Sequence, residues 1–207
     1  MAHGRETERF EELLRRRGVL EAAHPEVERE ILERYQDYCA ILVLDSSGFT
    51  RATQEKGVIL FLALTVAMRD LAAPIFEANE ALAHWHYTDN LYGVFPTAWR
   101  AVKCALDLQR SVQVANARRP AGSRLEVCIG IGWGKLLRIG TEDIHGDQMN
   151  LACKLGEDIA RPRQILLTEA AYEEVHRLKA AGGLRFERRR LRISGVQLVH
   201  YSIRPPR

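Results

Sequence analysis

The sequence lacks an excess of charge of either sign: its formal net charge is +3 over 207 residues. So even a balance leaves no electrostatic footprint for nucleic acid, and nucleic acid is excluded as a partner. Cysteine is scarce. The four present, Cys39, Cys104, Cys128 and Cys153, include no C-x-x-C pair, and three sit inside apolar segments as buried thiols do. That argues against a disulfide framework, and the cytoplasm is the expected compartment. The start, Met1-Ala2-His3-Gly4-Arg5-Glu6, is charged and has no apolar h-region, so it does not read as a signal peptide. The longest apolar run, Gly57 to Ala67, falls short of the roughly 20 residues a bilayer requires, and no membrane partner is expected. There is no internal repeat and no low-complexity stretch. Basic residues cluster at Arg15-Arg16-Arg17, Arg118-Arg119 and Arg188-Arg189-Arg190, and each run reads as solvated surface.

What is present is an ordinary globular composition, 46% apolar and 28% charged, in a chain sized for one domain plus an extension. Residues 5–38 read as a charged helical arm. Phe10, Leu13 and Leu14 form one apolar stripe, and Val27, Ile31 and Leu32 another, with Pro25 placed to start a second helix. At residue 39 the pattern changes, and 39–207 is the main domain. Cys39 to Leu44 is a continuous apolar run, predicting a strand buried on both faces. A long helix is predicted over about 57–79, two short strands around Thr88-Asp89-Asn90, a helix over 97–117, and a strand from Leu125 to Gly132. Further on come a strand and turn at 135–145, a helix at 147–159, a strand at 164–167, a helix at 169–180 and a last strand at 196–203. The order strand–helix–strand–strand–helix–strand over 39–134 predicts an α+β, ferredoxin-like βαββαβ core. Helices are expected on one sheet face only, leaving the other face or the strand ends for ligands.

Asp45 ends the buried apolar strand, directly before Ser46-Ser47-Gly48. Asp89 sits in the turn of the following strand pair. In this topology the first strand lies beside that pair, so both carboxylates can converge and offer hard oxygen ligands to Mg²⁺ or Mn²⁺. The turn through Gly48, Phe49 and Thr50 presents consecutive backbone N–H groups to phosphate oxygens. A strand-end aspartate is also an ordinary turn or helix-cap residue.

Four segments together resemble the catalytic domain of class III nucleotide cyclases. Asp45-Ser46-Ser47-Gly48-Phe49-Thr50 is similar to the family's D-x-x-G-F-T signature, and Tyr87 to Phe95 to its second metal segment. Ile129-Gly130-Ile131-Gly132-Trp133-Gly134 is similar to an I-G-I-x-x-G strand. Asp143 to Leu155 is similar to D-x-x-G-x-x-V-N-x-A-x-R-L. The resemblance covers about 39–170 and implies an enzyme that closes a nucleoside triphosphate into a 3′,5′-cyclic monophosphate plus pyrophosphate. Two divalent metal ions, Mn²⁺ or Mg²⁺, would be held by Asp45 and Asp89, with the Ser46 carbonyl a further ligand. Asn150 and Lys154 would act across the interface of a homodimer with shared sites. Lys154 stands where the family carries arginine, which keeps the charge but loses the planar fork; Arg138 and Arg192 are other candidates for that role.

Two further positions resemble the family's base readers. Four residues before Asp89, where adenylate cyclases carry lysine, stands Trp85; seven before Asn150 stands Asp143. An indole fills more space than a lysine and offers a stacking face, which points to a pyrimidine, UTP in preference to CTP. It also resembles the pyrimidine cyclases of bacterial Pycsar antiphage systems, whose messenger acts on a separate effector that the cyclase does not contact. Adenylate cyclase activity, or a silent nucleotide-binding module, is the alternative. His84 and His86 flank Trp85 on the opposite strand face, but no third metal ligand is apparent in the sequence.

Overall fold

The computed structural model describes residues 2–19, 24–46, 57–120, 123–141, 143–178, 182–193 and 196–204. Helices α1 (Ala2–Arg17) and α2 (Pro25–Tyr35) form the N-terminal hairpin. Strand β1 (Gln36–Ser46) follows without a break, then helix α3 (Val58–Ala78), strands β2 (Ala83–Tyr87) and β3 (Asn90–Phe95), and helix α4 (Ala98–Asn116). Strands β4 (Val127–Ile139) and β5 (Asp143–His145) lead to helix α5 (Asp147–Cys153), which runs on as a π-helical turn over Lys154–Ile159. Strand β6 (Ile165–Thr168), helix α6 (Glu169–Arg177) and strands β7 (Arg185–Ile193) and β8 (Val196–Arg204) complete the chain.

The strands make one mixed sheet in the order β2-β3-β1-β4-β6-β8-β7, with β5 beside β4. β1 lies between β3 and β4, antiparallel to both. Its apolar run is buried on both faces, as its composition predicts. Ala40, Leu42 and Leu44 enter the main core with α3, α4 and α6, while Cys39, Ile41 and Val43 join Tyr92, Val94, Leu136, Ile144 and Ala152 on the other face. α4 starts at Thr97, whose side chain accepts the Arg100 N–H at 3.2 Å as an N-cap.

The expectation of helices on one face only is not met. α5 and its π-helical turn cover the second face, and the glycines of Ile129 to Gly134 are the reason. Isoleucines 129 and 131 point into the main core, so Gly130 and Gly132 face α5. A Cβ on Gly130 would sit 2.6 Å from the Gly156 backbone nitrogen and still closer to the Ala152 carbonyl oxygen. A Cβ on Gly132 would strike the Gln148 carbonyl. The strand therefore has no side chains where the helix backbone rests. Gly130→Ala is expected to destabilise the fold by about 3 kcal/mol or more, since backbone atoms cannot step aside as a side chain can. Thermal unfolding of the variant checks this.

Two further differences separate sequence pattern from structure, and one reading is refined. The segments 125–132 and 135–145 are not two strands but one 13-residue strand, β4, plus the short β5. The arginine run at 188–190 is exposed, as its reading as solvated surface expects, and lies inside strand β7, paired residue by residue with β8. The apolar run from Gly57 continues as helix α3 to Ala78, so it is long and apolar enough to cross a membrane by length and composition, and 22% of that span is buried. Leu64, Thr65, Met68, Ala72 and Phe76 make its buried stripe.

The arm packs through Phe10, Leu13, Val27, Ile31 and Tyr35 onto Ile139 of β4; Leu14 and Leu32 stay largely exposed. Arg34 donates to Glu6 at 3.0 Å across the hairpin.

Candidate active site

Asp45 lies at the end of β1, opposite Cys128 of β4. Asp89 lies in the two-residue turn joining β2 to β3, where Tyr87 pairs with Asn90. Thr88 takes a left-handed conformation, φ 53°, an uncommon one for a β-branched residue and a hallmark of functional turns. The turn is held from three sides. Arg69 of α3 donates to the Thr88 carbonyl at 2.6 Å. The Thr88 hydroxyl lies 2.7 Å from the Tyr87 carbonyl oxygen and 3.0 Å from Asp89 Oδ1, and donates to one of them. The Ser46 hydroxyl, buried beside Asp45, donates to the Asp89 carbonyl at 3.3 Å. The ends of β1 and β3 are thereby tied together with both carboxylates at one edge.

Two more acids join them that sequence reasoning missed. Glu157, in the π-helical turn, accepts from Asn90 Nδ2 at 2.9 Å. Asp158 follows it and pairs with Lys154 Nζ at 2.6 Å. The Asp45 carboxyl is pushed up to about 6, first by burial and then by the charges of Asp89, Glu157 and Asp158. Glu157 is raised as well, by burial and then by Asp158. A detectable signal was Gly156 in the middle of a helical pattern: glycine there costs about 1 kcal/mol against alanine and marks a packing reason. Its Cβ would lie 3.1 Å from the Val43 carbonyl oxygen and from the Gly130 nitrogen. That close approach delivers Glu157 to the end of β1.

Crowded carboxylate oxygens suit a hard divalent cation. The donor set fits Mn²⁺ or Mg²⁺. Among the described residues no set of three or more His, Cys, Asp or Glu could enclose a metal alone, so substrate oxygens or water would complete the coordination.

The cost of this electrostatic arrangement is measurable without metal. The folded pKa of Asp45 is raised above the unfolded value, so the folded state loses stability as pH rises through about 6. Asp45→Asn removes the ionisation and is expected to stabilise the metal-free protein at pH 8 by about 2 kcal/mol. The gain should fade below pH 6. Chemical denaturation at pH 5 and pH 8 with chelator checks it.

Asn150 and Lys154 lie one helical turn apart on α5 and its continuation. Gln148, Ala152 and Gly156 lie against the sheet glycines, and Met149 and Cys153 pack on the apolar cluster beside them. Asn150 is exposed and the Lys154 side chain is 41% exposed. Both therefore sit on the helix face turned away from this chain's own strands. Of the other cations considered, Arg138 pairs with Asp37 at 3.3 Å.

Trp85 stacks on Tyr92, its cross-strand partner, with ring centroids 5.1 Å apart and planes 11° apart. Both rings border the apolar cluster to which Ile144 belongs, next to Asp143. Asp143 Oδ1 pairs with His145 Nε2 at 2.6 Å, and the His145 ring stacks on Phe10 of α1. His84 points to the opposite face and stacks on Phe76. Gly48, Phe49 and Thr50 lie outside the described residues.

This arrangement defines a class of fold. The chain has the fold of the adenylate and guanylate cyclase catalytic domains. The crystal structure of an adenylate/guanylate cyclase/hydrolase from Silicibacter pomeroyi superposes with a TM-score of 0.70 at 22% identity, covering 82% of this chain and 98% of that one. The adenylyl cyclase CyaB from P. aeruginosa gives 0.66 at 17% identity, over 83% and 97%. In sequence the chain is 24% identical over 137 residues to the protein named "Putative adenylate cyclase 3" of Rhizobium meliloti (strain 1021). That match takes in 66% of this chain, which spans 23% of the length of that relative. No protein-family model matches the chain.

Proposed function

We propose that the protein is a nucleotide cyclase that converts a nucleoside triphosphate, UTP by preference, into a 3′,5′-cyclic monophosphate and pyrophosphate. The observation that carries this reading is the convergence of Asp45 and Asp89 at one sheet edge, in a fold shared with nucleotide cyclases.

The reaction joins the ribose 3′-oxygen to the α-phosphorus and breaks the bond to the departing pyrophosphate. Divalent ions, two by the family pattern, would supply Lewis acidity toward the 3′-hydroxyl and the phosphate oxygens. In this chain Asp45, Asp89 and the Ser46 carbonyl would hold them. The backbone around Gly48, Phe49 and Thr50 would receive the triphosphate. Asn150, from the other subunit of a homodimer, orients the ribose. Lys154 of that subunit balances charge at the α-phosphate; leaving Asp158 costs it about 1 kcal/mol or less, because the pair is solvent-exposed.

The base is assigned to Trp85 and Asp143. With one face of the indole covered by Tyr92, the ring is a fixed wall that shortens the pocket, and its free side offers stacking to a small base. The Asp143 carboxylate accepts the uracil N–H. A site built on such pairing rejects mispaired bases strongly, because their buried partners go unpaired. We place the enzyme in the cytoplasm, consistent with four free thiols. Its product would act as an antiphage second messenger on a separate effector. The relative named as an adenylate cyclase favours cyclic AMP as the second reading.

Incubation with equal ATP, GTP, CTP and UTP plus Mn²⁺, with mass spectrometry of the products, tests this. Cyclic UMP should predominate, and Trp85→Ala should raise the purine share by about tenfold or more. Predominant cyclic AMP would replace the pyrimidine assignment with the adenylate one, and no cyclic product from any triphosphate would sink the cyclase reading.

A further inference from the structure

A second polar cavity lies on the α5 face of the sheet, beyond the end of the π-helical turn and over strands β6, β8 and β7. It measures about 380 Å³ and its polar lining is Asp158, Arg161, Gln164, Arg189, His200 and Ser202. Of these six the catalytic reading above involves only Asp158, as the partner of Lys154.

Two of the six are built into the sheet. His200 is 2% exposed and Ser202 7%. They are adjacent on one face of β8, with Arg189 of β7 directly opposite His200. His200 Nδ1 is buried and makes no hydrogen bond within the protein. Leaving such a group unsatisfied costs about 1–3 kcal/mol, and the residue that carries it lines a polar cavity that could hold a partner. Burial, then the neighbouring Arg189 charge, lowers the pKa of the ring. A neutral ring can present Nδ1–H as a donor.

Charge selects the partner's sign. Arg161 and Arg189 both line the cavity. The carboxylates nearby are already engaged: Asp158 pairs with Lys154 at 2.6 Å, and Glu187 is shared between Arg189, at 2.5 Å, and Arg204. Among the described residues Arg161 has no carboxylate partner. Arg189 has only a share of Glu187, and the lining itself carries two arginines against one aspartate. Guanidinium groups, a ring N–H and a hydroxyl form a donor set made for an oxyanion. The volume falls in the range of small-molecule sites, roughly 300–1,000 Å³, and leaves room for an organic group on the anion.

We propose that this cavity binds a phosphate-bearing small molecule, with Arg161, Arg189 and His200 as its anchors, at a site separate from Asp45 and Asp89. The proposal stands whether or not the chain is a cyclase. Asp158 links the site to Lys154: it lines the cavity and pairs with the Lys154 ammonium.

Isothermal titration of the full chain with inorganic phosphate and with ribose 5-phosphate, at constant ionic strength, tests it. Saturable binding is expected, tighter for ribose 5-phosphate. Arg161→Gln and Arg189→Gln should each weaken it by about tenfold, the loss of one charge-assisted hydrogen bond. Arg161 is an exposed loop residue, so its variant keeps the fold, and His200→Asn should weaken binding in the same direction. Asp89→Ala should bind as the wild type does. The proposal is overturned by a titration that does not saturate, by unchanged affinity in either arginine variant, or by loss of binding in Asp89→Ala.

Discussion

Asp45→Ala and Asp89→Ala should each reduce cyclic nucleotide formation by about three orders of magnitude or more, while the protein stays folded. The loss is expected to be large because, in the proposed mechanism, both carboxylates hold the divalent ions. Glu157 is close enough to raise the Asp45 proton affinity, but its carboxylate is tied to Asn90. The fold is expected to survive for a physical reason. Asp45 is a net electrostatic cost to the metal-free protein, and Asp89 sits in a turn anchored through its backbone carbonyl and that of Thr88. Turnover measured with saturating Mn²⁺, beside a thermal melt of each variant, separates the two effects. Near-normal turnover in either variant would refute the metal assignment.

Mixing two inactive chains should restore activity. Asp45→Ala abolishes the carboxylate half of the site and Asn150→Ala the ribose half. If the halves come from different subunits, a heterodimer of the two variants contains one site with both lesions and one with neither. Random exchange makes about half the dimers mixed, each with one of two sites intact, so about a quarter of wild-type activity should return. The orientation of α5 motivates this. Gln148, Ala152 and Gly156 press on the chain's own strands, which turns Asn150 and Lys154 outward. A mixture that stays inactive, with heterodimers demonstrated by differential tagging, would place the whole site in one chain.

Much of this was legible in the residues themselves. The run Cys39 to Leu44 announced a strand covered on both faces, since no polar position interrupts it, and the structure places alternate residues in two separate clusters. The helix from residue 58 and the strand pair around Asp89 follow from apolar periodicity and turn residues. The position of Asp45 at the end of a buried strand, with Asp89 in the next hairpin, allowed both as ligands but suited ordinary turn or cap residues equally; the resemblance to the cyclase signatures nominated them.

Other features depended on contacts between segments far apart in the chain. Arg69 is an unremarkable helix residue until α3 lies against the hairpin and aims its guanidinium at the Thr88 carbonyl. Glu157 reads as a solvated charge, and reaches Asn90 because Gly156 and Gly130 let two backbones nearly touch. The arginine run at 188–190 is surface, as it reads, but that it forms a strand with His200 buried on the partner strand beside it was not visible in the sequence. Local propensity and periodicity report a residue's own segment, which is why strands and helices could be read directly. Which side chains meet across segments depends on how closely those segments pack, and that was decided by glycines whose role appears only when the backbones they admit are in place.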